Sequence, residues 1–426
     1  MPAVVENDIL KYKGSNFFRQ RLLLSTLSGR AIKIEEIRST HDDPGLREYE
    51  VNLIRLIDKV TNGTRVELSE TGTSVYFQPG ILIGGQVNHQ CCPQRGIGYY
   101  LEILLALGPF CKEPLNAVLQ GVTHSDLDVS VDKIKAAALP ILLKFILVDD
   151  GLELKVVRRG APPLGGGEVV FKCPVRRHLR PLQWTKWGLV KRIRGVVYAL
   201  RVSPTMANRV VEAAKGVSFM PFFVNIIHTN SKISLFDTAV MLKFLPDVYI
   251  NTDQCRGANA GKSPGFGISL VAETNDKTFY CAEAVSRILE PVPLILQSFN
   301  SIFIFNFFND LETYHSIILL CHYIYMYRLL GKRPYILKDT ALRKDIQTNI
   351  HFYTYIHKLT PVGPLSDYTI TFLQHLKEFF GVMFKLEVQR QEADDEESDD
   401  EQIQTAQKIK MTCVGIGYVN ISKRTL

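Results

Sequence analysis

The chain has 426 residues, of which 46% are hydrophobic and 22% are charged, proportions typical of a folded protein with a large buried core. Fibrous and wholly disordered proteins are therefore excluded, and the length predicts two or three domains. The net charge is +7, but residues 392–401 hold eight of the acidic side chains, so the rest of the chain carries +15. Such a basic body favours a polyanionic partner.

Helices and strands are predicted in the same order twice along the first 173 residues. In the first unit, for example, Leu46, Leu53 and Ile57 recur at helical spacing up to a turn at Asn62-Gly63. The first unit is helix, strand, helix, strand, strand at 17–28, 31–37, 46–60, 66–68 and 75–77. The second unit has the same order at 99–107, 117–120, 131–148, 152–157 and 169–172. A helix at 373–380 and strands at 382–388 and 408–413 predict the second half of a third unit. The fold class is therefore α+β, with three repeated αβ units.

A smaller αβ domain is predicted between the second and third units, with strands at 195–202, 247–251 and 268–273. Its helix is expected to begin at Ser203-Pro204, because a hydroxyl caps free amides and proline suits the first helical position. The expected domains are 1–181 for repeats one and two, 182–285 for the inserted domain and 286–426 for the third repeat.

Targeting and membrane signals are not found in the sequence. The first residues have no basic region followed by an apolar stretch and a cleavage site, which predicts an intracellular protein. Eight cysteines without a C-x-x-C pair indicate reduced thiols rather than a disulfide framework or a zinc site. The most apolar window, 317–330, is shorter than the roughly 20 residues of a membrane span, so no membrane partner is expected.

Several motifs resemble RNA 3′-terminal phosphate cyclases, and the match is closest to the cyclase-like branch of that family. The resemblance covers roughly residues 1–217, 241–290 and 360–426. Its motifs are Gly14-Ser-Asn-Phe-Phe-Arg-Gln-Arg, Pro44-Gly-Leu-Arg, Pro163-Leu-Gly-Gly-Gly-Glu-Val, Gly261-Lys-Ser-Pro-Gly-Phe-Gly and Cys413-Val-Gly-Ile-Gly-Tyr-Val-Asn-Ile-Ser-Lys. The resemblance implies three repeats, each with two helices on a four-stranded sheet, similar to the C-terminal domain of translation initiation factor three. It also implies a small domain inserted before the third repeat.

Two departures from the cyclases put the cyclase reaction in doubt. In those enzymes a histidine near the C-terminus accepts AMP from ATP, and a Gly-Gly-Gly-Gln turn near the N-terminus helps to bind nucleotide. Here the last histidine is His375, which is expected on the surface of a helix, and Gly14-Ser15-Asn16-Phe17 replaces the glycine-rich turn. No catalytic residue, cofactor or metal is therefore expected.

Two segments do not fit the family, 219–240 and 295–358. The second holds 13 Phe and Tyr among 64 residues and a single glycine, Gly331. Translated non-coding sequence or a variant transcript is one open explanation, and lineage-specific insertion is the other.

Basic residues are the candidate working surface, because arginine forks and exposed aromatic rings suit RNA phosphates and unstacked bases. They crowd the junction of the second repeat and the inserted domain, around Trp184 and Trp187. A solvated basic face with tryptophans in the core is an equal alternative. The candidate RNA or anion contacts are Arg19, Arg21, Arg158, Arg159, Lys172, Arg176, Arg177, Arg180, Lys191, Arg192 and Lys262.

Other polar motifs give weaker signals. Residues 257–263 resemble a phosphate-binding P-loop, but Arg256 stands in place of the first glycine and Pro264 opposes the helix that must follow. Asp126 and Asp128 are expected to be solvated, with a metal pair as the alternative. Residues 392–401 are expected to form a disordered loop between the last two strands, in which Ser398 is a candidate for phosphorylation by an acid-directed kinase.

The resemblance implies a nucleolar, nuclear assembly factor for the 40S ribosomal subunit that acts in early pre-rRNA processing toward 18S rRNA. Its implied partners are a ribosome-assembly GTPase, the U3 small nucleolar RNP and the pre-ribosomal particle, with direct contact to pre-rRNA left open. An endonuclease that cuts pre-rRNA is the alternative, and residual cyclase activity is the least favoured.

Overall fold

The structure is a computed structural model that describes residues 9–146, 150–176, 179, 190–217, 247–286, 353–356, 367–389 and 408–413. Helices flank several mixed four-stranded sheets, which confirms the α+β class. Over these ranges no helix has both the length and the apolar composition that a membrane crossing requires.

The first sheet combines the three predicted strands of the first unit with a strand that precedes the unit. Its elements are β1 (Leu10–Lys13), α1 (Phe18–Ser28), β2 (Ile32–Glu35), α2 (Glu48–Val60), β3 (Thr61–Asn62), β4 (Arg65–Leu68), β5 (Val75–Gln78) and β6 (Ile81–Leu82). The order is β1-β2-β5-β4, with β1 and β2 parallel and the other pairs antiparallel, while β3 and β6 form a separate ribbon. Gly29 ends α1 in the left-handed conformation, φ 73°, as the sequence predicts.

The second sheet has the same order as the first. Its elements are β7 (Gly84–Gln90), α3 (Ile97–Leu107), β8 (Glu113–Gly121), α4 (Val131–Lys133), a π-helical turn (Ile134–Ala138), α5 (Leu139–Ile146), β9 (Glu153–Arg158) and β10 (Gly167–Cys173). The order is β7-β8-β10-β9, again with the first pair parallel. The opening strand of each sheet, β1 or β7, is absent from the sequence prediction, because neither has a long apolar alternation.

A third four-stranded sheet has a different order. Its elements are β11 (Val190–Leu200), α6 (Pro204–Val217), β12 (Val248–Cys255), β13 (Gly265–Thr274) and β14 (Phe279–Val285). The order is β12-β11-β13-β14, so the first strand is internal rather than at an edge. One face packs on α6 around Val197, Ala207 and Ile268, whereas Val271 and Cys281 join the core of the first two sheets. The prediction of a helix beginning at Ser203-Pro204 is confirmed.

The C-terminal elements are β15 (Tyr353–Ile356), α7 (Asp367–Phe380), β16 (Phe384–Gln389) and β17 (Lys408–Cys413). The strands form a sheet of order β15-β17-β16. Phe372, Leu376 and Phe379 of α7 bury their side chains in the core shared with the first two sheets. Within the described ranges this sheet has three strands where four were expected, and most of segment 295–358 and all of 392–401 lie outside them. The division at 181 and 285 stays a prediction.

Candidate nucleic-acid interface

The N-terminal turn, where the cyclases carry glycines, holds an aromatic ring in this chain. Gly14 and Phe17 both have positive φ, 72° and 60°, and Phe17 precedes the first residue of α1. The Phe17 ring meets the ring of His375 edge-on, with 5.5 Å between the centroids. A left-handed phenylalanine is strained, so this packing fixes a conformation that glycine would adopt freely.

His375 lies in the interior, so its predicted place on a helix surface is wrong. It is 4% exposed, its Nδ1 lies 3.2 Å from Gln20 Oε1, and its ring meets Tyr12 at 5.2 Å. Burial, with a further contribution from the Arg21 charge, lowers the pKa of His375 to about 4. His375 lies on the same face of α7 as the buried apolar residues of that helix. Its partners on α1 and β1 are too distant in sequence to be predicted.

Arg19 and Arg21 lie on α1, and both side chains have partners within the chain. Arg19 forms an ion pair with Glu102 and lies over the Tyr99 ring, 4.8 Å from its centroid. Arg21 is 7% exposed and donates to the Gly14 carbonyl at 3.1 Å. A buried guanidinium with internal acceptors is not presented to RNA, so the prediction for Arg21 is corrected, and Arg19 is half-buried and already paired.

A buried polar network joins the second sheet to its helices. His124 has Nδ1 2.9 Å from Thr123 Oγ1 and Nε2 2.8 Å from Asp132 Oδ2. The order hydroxyl, imidazole, carboxylate is that of a nucleophilic triad. All three residues are buried, however, and the Thr123 hydroxyl already donates to the Gly160 carbonyl at 3.0 Å. The network is therefore closed to substrate and holds the β9–β10 connection in place.

Arg159 extends this network to the third sheet. It is 5% exposed, and it donates to Asp132 Oδ2 through Nη1 and to Asp253 Oδ2 through Nε, both at 2.6 Å. Burial raises the pKa of Asp132, but the hydrogen bond and charge of His124, with those of Arg159, outweigh it and hold that pKa well below its usual range. The prediction of Arg159 as an RNA contact is corrected, because its donors are taken by carboxylates.

The remaining candidates differ in exposure and in partners. Arg158 pairs with Glu168 at 3.2 Å, Lys172 with Glu153 at 2.9 Å and Arg192 with Glu273 at 2.6 Å. Lys191 is exposed, and Arg176 is half-buried. Arg177, Arg180, Trp184, Trp187 and Ser398 lie outside the described residues. Such ion pairs at the surface are weak, so a phosphate can compete for these cations.

Asp128 is not a solvated loop residue. Both of its oxygens accept from Arg95 Nε, at 3.0 and 2.9 Å, and Oδ2 also accepts from the Gly96 amide at 2.7 Å. Asp126, two residues earlier, is exposed. In the part of the chain that the structure describes, no group of three or more His, Cys, Asp or Glu side chains could hold a metal ion.

Lys262 lies on a turn rather than on a P-loop. Residues Gly257–Ala260 form a short 3-10 helix, and β13 begins at Gly265, so no α-helix follows the lysine. The backbone amide of Lys262 donates to the Gly165 carbonyl at 2.9 Å, and the side chain is exposed. The two glycine-rich motifs of the sequence therefore meet each other.

Two arginines beside Lys262 were missed by the sequence analysis. Arg201 and Arg256 are exposed and directly follow β11 and β12. Arg201 Nε donates to the Gly261 carbonyl at 3.1 Å. The predicted β12 ended at residue 251, short of the observed end at Cys255, so its sheet edge was not recognised.

Comparisons with known proteins agree with this fold. The family model "RNA 3'-terminal phosphate cyclase" matches residues 10–386. The chain is 49% identical to the probable RNA 3'-terminal phosphate cyclase-like protein of Drosophila melanogaster over 432 residues, covering 100% of both chains. It is 46% identical to the RNA 3'-terminal phosphate cyclase-like protein of Homo sapiens over 97% of each. It is 44% identical to the rRNA processing protein rcl1 of Schizosaccharomyces pombe over 274 residues, 64% of this chain and 69% of that one. The chain therefore belongs to the RNA 3′-terminal phosphate cyclase family and, within it, to the cyclase-like proteins.

Proposed function

We propose that this protein is an assembly factor that acts in early processing of pre-rRNA toward 18S rRNA and does not catalyse RNA cyclisation. The observation that carries this proposal is the 44% identity to the Schizosaccharomyces pombe rRNA processing protein. The +15 charge outside residues 392–401 supports a role among RNA-rich particles. The protein acts in the nucleolus, where pre-rRNA is processed.

The loss of cyclase chemistry is supported by the surroundings of His375, the last histidine in the sequence. A nucleophilic imidazole must reach the α-phosphate of ATP. His375 instead packs between Phe17 and Tyr12 with its pKa lowered to about 4, and the Phe17 ring lies at the turn that binds nucleotide in the cyclases.

The proposed partners are a ribosome-assembly GTPase, the U3 small nucleolar RNP and the pre-ribosomal particle. A protein that does not catalyse RNA cyclisation would contribute by binding, so these partners would define its role. Co-purification of the tagged protein with the GTPase and U3 RNA, before and after nuclease treatment, separates protein contacts from those that RNA mediates.

The function is tested by depleting the protein from cells and measuring pre-rRNA species by hybridisation. Loss of 18S rRNA with accumulation of its uncleaved precursors, and little change in large-subunit rRNA, is expected. An equal fall in both subunits' rRNA would contradict the proposal. Restoration by wild-type protein controls for indirect effects.

Two reactions of the purified protein test the absence of catalysis. Radiolabelled ATP is expected to leave no covalent AMP on the chain, whereas a stable adduct would overturn the non-cyclase proposal. Pre-rRNA spanning the small-subunit cleavage sites is expected to stay intact. Specific cutting that survives purification, and that is abolished by a single carboxylate substitution, would favour the endonuclease.

A further inference from the structure

Three basic side chains converge at one end of the third sheet. Strands β11 and β12 are parallel and pair Leu200 with Cys255, so Arg201 and Arg256 emerge side by side at the same edge. Strand β13 runs antiparallel to β11 and pairs Gly265 with Leu200. Lys262 therefore lies at this edge too. We call Arg201, Arg256 and Lys262 the loop-edge patch.

The backbone beneath the loop-edge patch is fixed by contacts with the β9–β10 connection. In addition to the hydrogen bond that the Lys262 backbone amide donates to Gly165, the Leu164 amide donates to Ser263 Oγ at 3.1 Å. Gly166 lies so close to the lysine that a Cβ placed on it would be 3.0 Å from Lys262 Cγ. Because glycine leaves room for the lysine stem, the side chain can extend along the turn into solvent.

The charge of the loop-edge patch is not compensated locally. All three side chains are exposed, and none of them forms an ion pair with another described residue. The three segments that meet here, 158–167, 201–209 and 256–267, contain six Arg and Lys and no Asp or Glu. Of these six cations, Arg159 forms ion pairs with Asp132 and Asp253, and Arg158 forms an ion pair with Glu168.

Neutral donors lie beside the cations at the start of α6. Ser203 and Thr205 are exposed, with their hydroxyl oxygens 2.8 Å apart, and they flank the first residue of the helix. The first amides of a helix carry partial positive charge, which adds to that of Arg201. No exposed aromatic ring is present in the three segments, so stacking on bases is not expected here.

We propose that the loop-edge patch binds the phosphate backbone of RNA. The binding is independent of base sequence, because the donors are cations and hydroxyls that suit phosphate oxygens. This inference rests on the proposed role in pre-rRNA processing and assigns the RNA contact to Arg201, Arg256 and Lys262.

The test compares two variants with the same loss of charge. The patch variant is R201Q/R256Q/K262Q. The control variant, R55Q/K112Q/K155Q, removes three exposed cations that lie on α2, just before β8 and in β9. Binding of a fluorescein-labelled, single-stranded pre-rRNA fragment is measured by anisotropy at salt concentrations from about 0.05 to 0.2 M.

We expect the patch variant to bind at least about 10-fold more weakly, and its salt dependence to fall by about 2 in log–log slope, since each lost phosphate contact on a single strand removes about 0.7. The control variant should stay within about 3-fold of the wild type. Equal losses in the two variants, or no RNA binding by the wild type, would overturn the inference.

A second arm distinguishes RNA from an acidic protein segment. A labelled peptide that spans residues 392–401 is measured with the same variants. If the patch substitutions abolish peptide binding and leave RNA binding unchanged, the patch is an acidic-peptide site and the inference fails. The depletion experiment judges the proposed function separately, because normal 18S maturation after depletion would refute that function whatever the patch binds.

Discussion

Two groups of basic side chains in this molecule have opposite surroundings. Arg21 and Arg159 are buried, and their guanidinium groups bond to backbone carbonyls or carboxylates. Arg201, Arg256 and Lys262 are exposed at a sheet edge and form no ion pair with any described residue. A basic side chain that is buried with internal acceptors is not available to RNA, whereas an exposed one is, so substitutions in the two groups should affect different measurements.

The largest expected effect is on stability, from Arg159→Met. Removing the guanidinium takes two donors, Nη1 and Nη2, from the buried Asp132 and breaks the hydrogen bond to Asp253. We expect a loss of about 3 to 5 kcal/mol of unfolding free energy, the usual cost of breaking a buried ion pair. Urea unfolding followed by circular dichroism measures it.

Arg158→Met is the matched control for Arg159→Met. Arg158 is the preceding residue, is only half-buried and pairs with Glu168 at the surface. We expect its substitution to change stability by less than about 1 kcal/mol. Equal losses from the two substitutions would contradict the division of the basic residues into internal and available groups.

Asp128→Asn is expected to have the next largest effect, because it replaces an anion that accepts from Arg95 and the Gly96 amide at the start of α3. A loss of about 2 to 3 kcal/mol follows from weakening charged hydrogen bonds in a partly buried site. Asp126→Asn, at an exposed position of the same loop, should cost much less. A melting temperature of the wild type that rises with Mg²⁺, and falls again with a chelator, would instead support the metal alternative.

Much of the fold could be predicted from local sequence patterns, whereas the contacts between residues distant in sequence could not. The end of α1 at Gly29 and the start of α6 at Pro204 depend on residues adjacent in sequence, and both were predicted. Asp253 lies 94 residues from Arg159 in sequence, and Gln20 lies 355 residues from His375. No periodicity encodes such contacts, so these two residues were placed at the surface or in a candidate site.

In the loop-edge patch the unpredicted long-range contacts concern exposed residues rather than buried ones. Lys262 was predicted from a glycine-rich motif, whereas Arg201 belongs to no motif and Arg256 was noted only as a departure from the P-loop pattern. Only the register Leu200 to Cys255 brings them together. A sequence shows which strands are present more readily than which of their ends are neighbours.

The pH dependence of stability should distinguish a buried histidine from an exposed one. Because burial lowers the pKa of His375 to about 4, the unfolded chain binds a proton first as the pH falls from about 6.5. The neutral ring therefore contributes fully to the free energy of unfolding above pH 6.5, and this contribution is lost as the pH falls toward 4. At pH 5 the loss is about 1 to 2 kcal/mol.

His375→Asn isolates this contribution, since the amide cannot be protonated in this range and can still face Gln20. The variant is expected to be less stable than the wild type at pH 7, and the difference should shrink toward pH 5. Unfolding midpoints in urea at several pH values provide the measurement. A difference that stays constant with pH would mean that His375 titrates normally.

The smallest expected effect on stability is that of R201Q/R256Q/K262Q. Exposed cations of like charge repel one another, so their removal should leave the unfolding free energy within about 0.5 kcal/mol, with any gain reduced by salt. The control variant R55Q/K112Q/K155Q should behave in the same way. A loss above about 1 kcal/mol in the patch variant alone would mean that the bond from Arg201 to the Gly261 carbonyl supports the turn. Unchanged stability together with weakened RNA binding is the pattern expected only of side chains whose partner lies outside the chain.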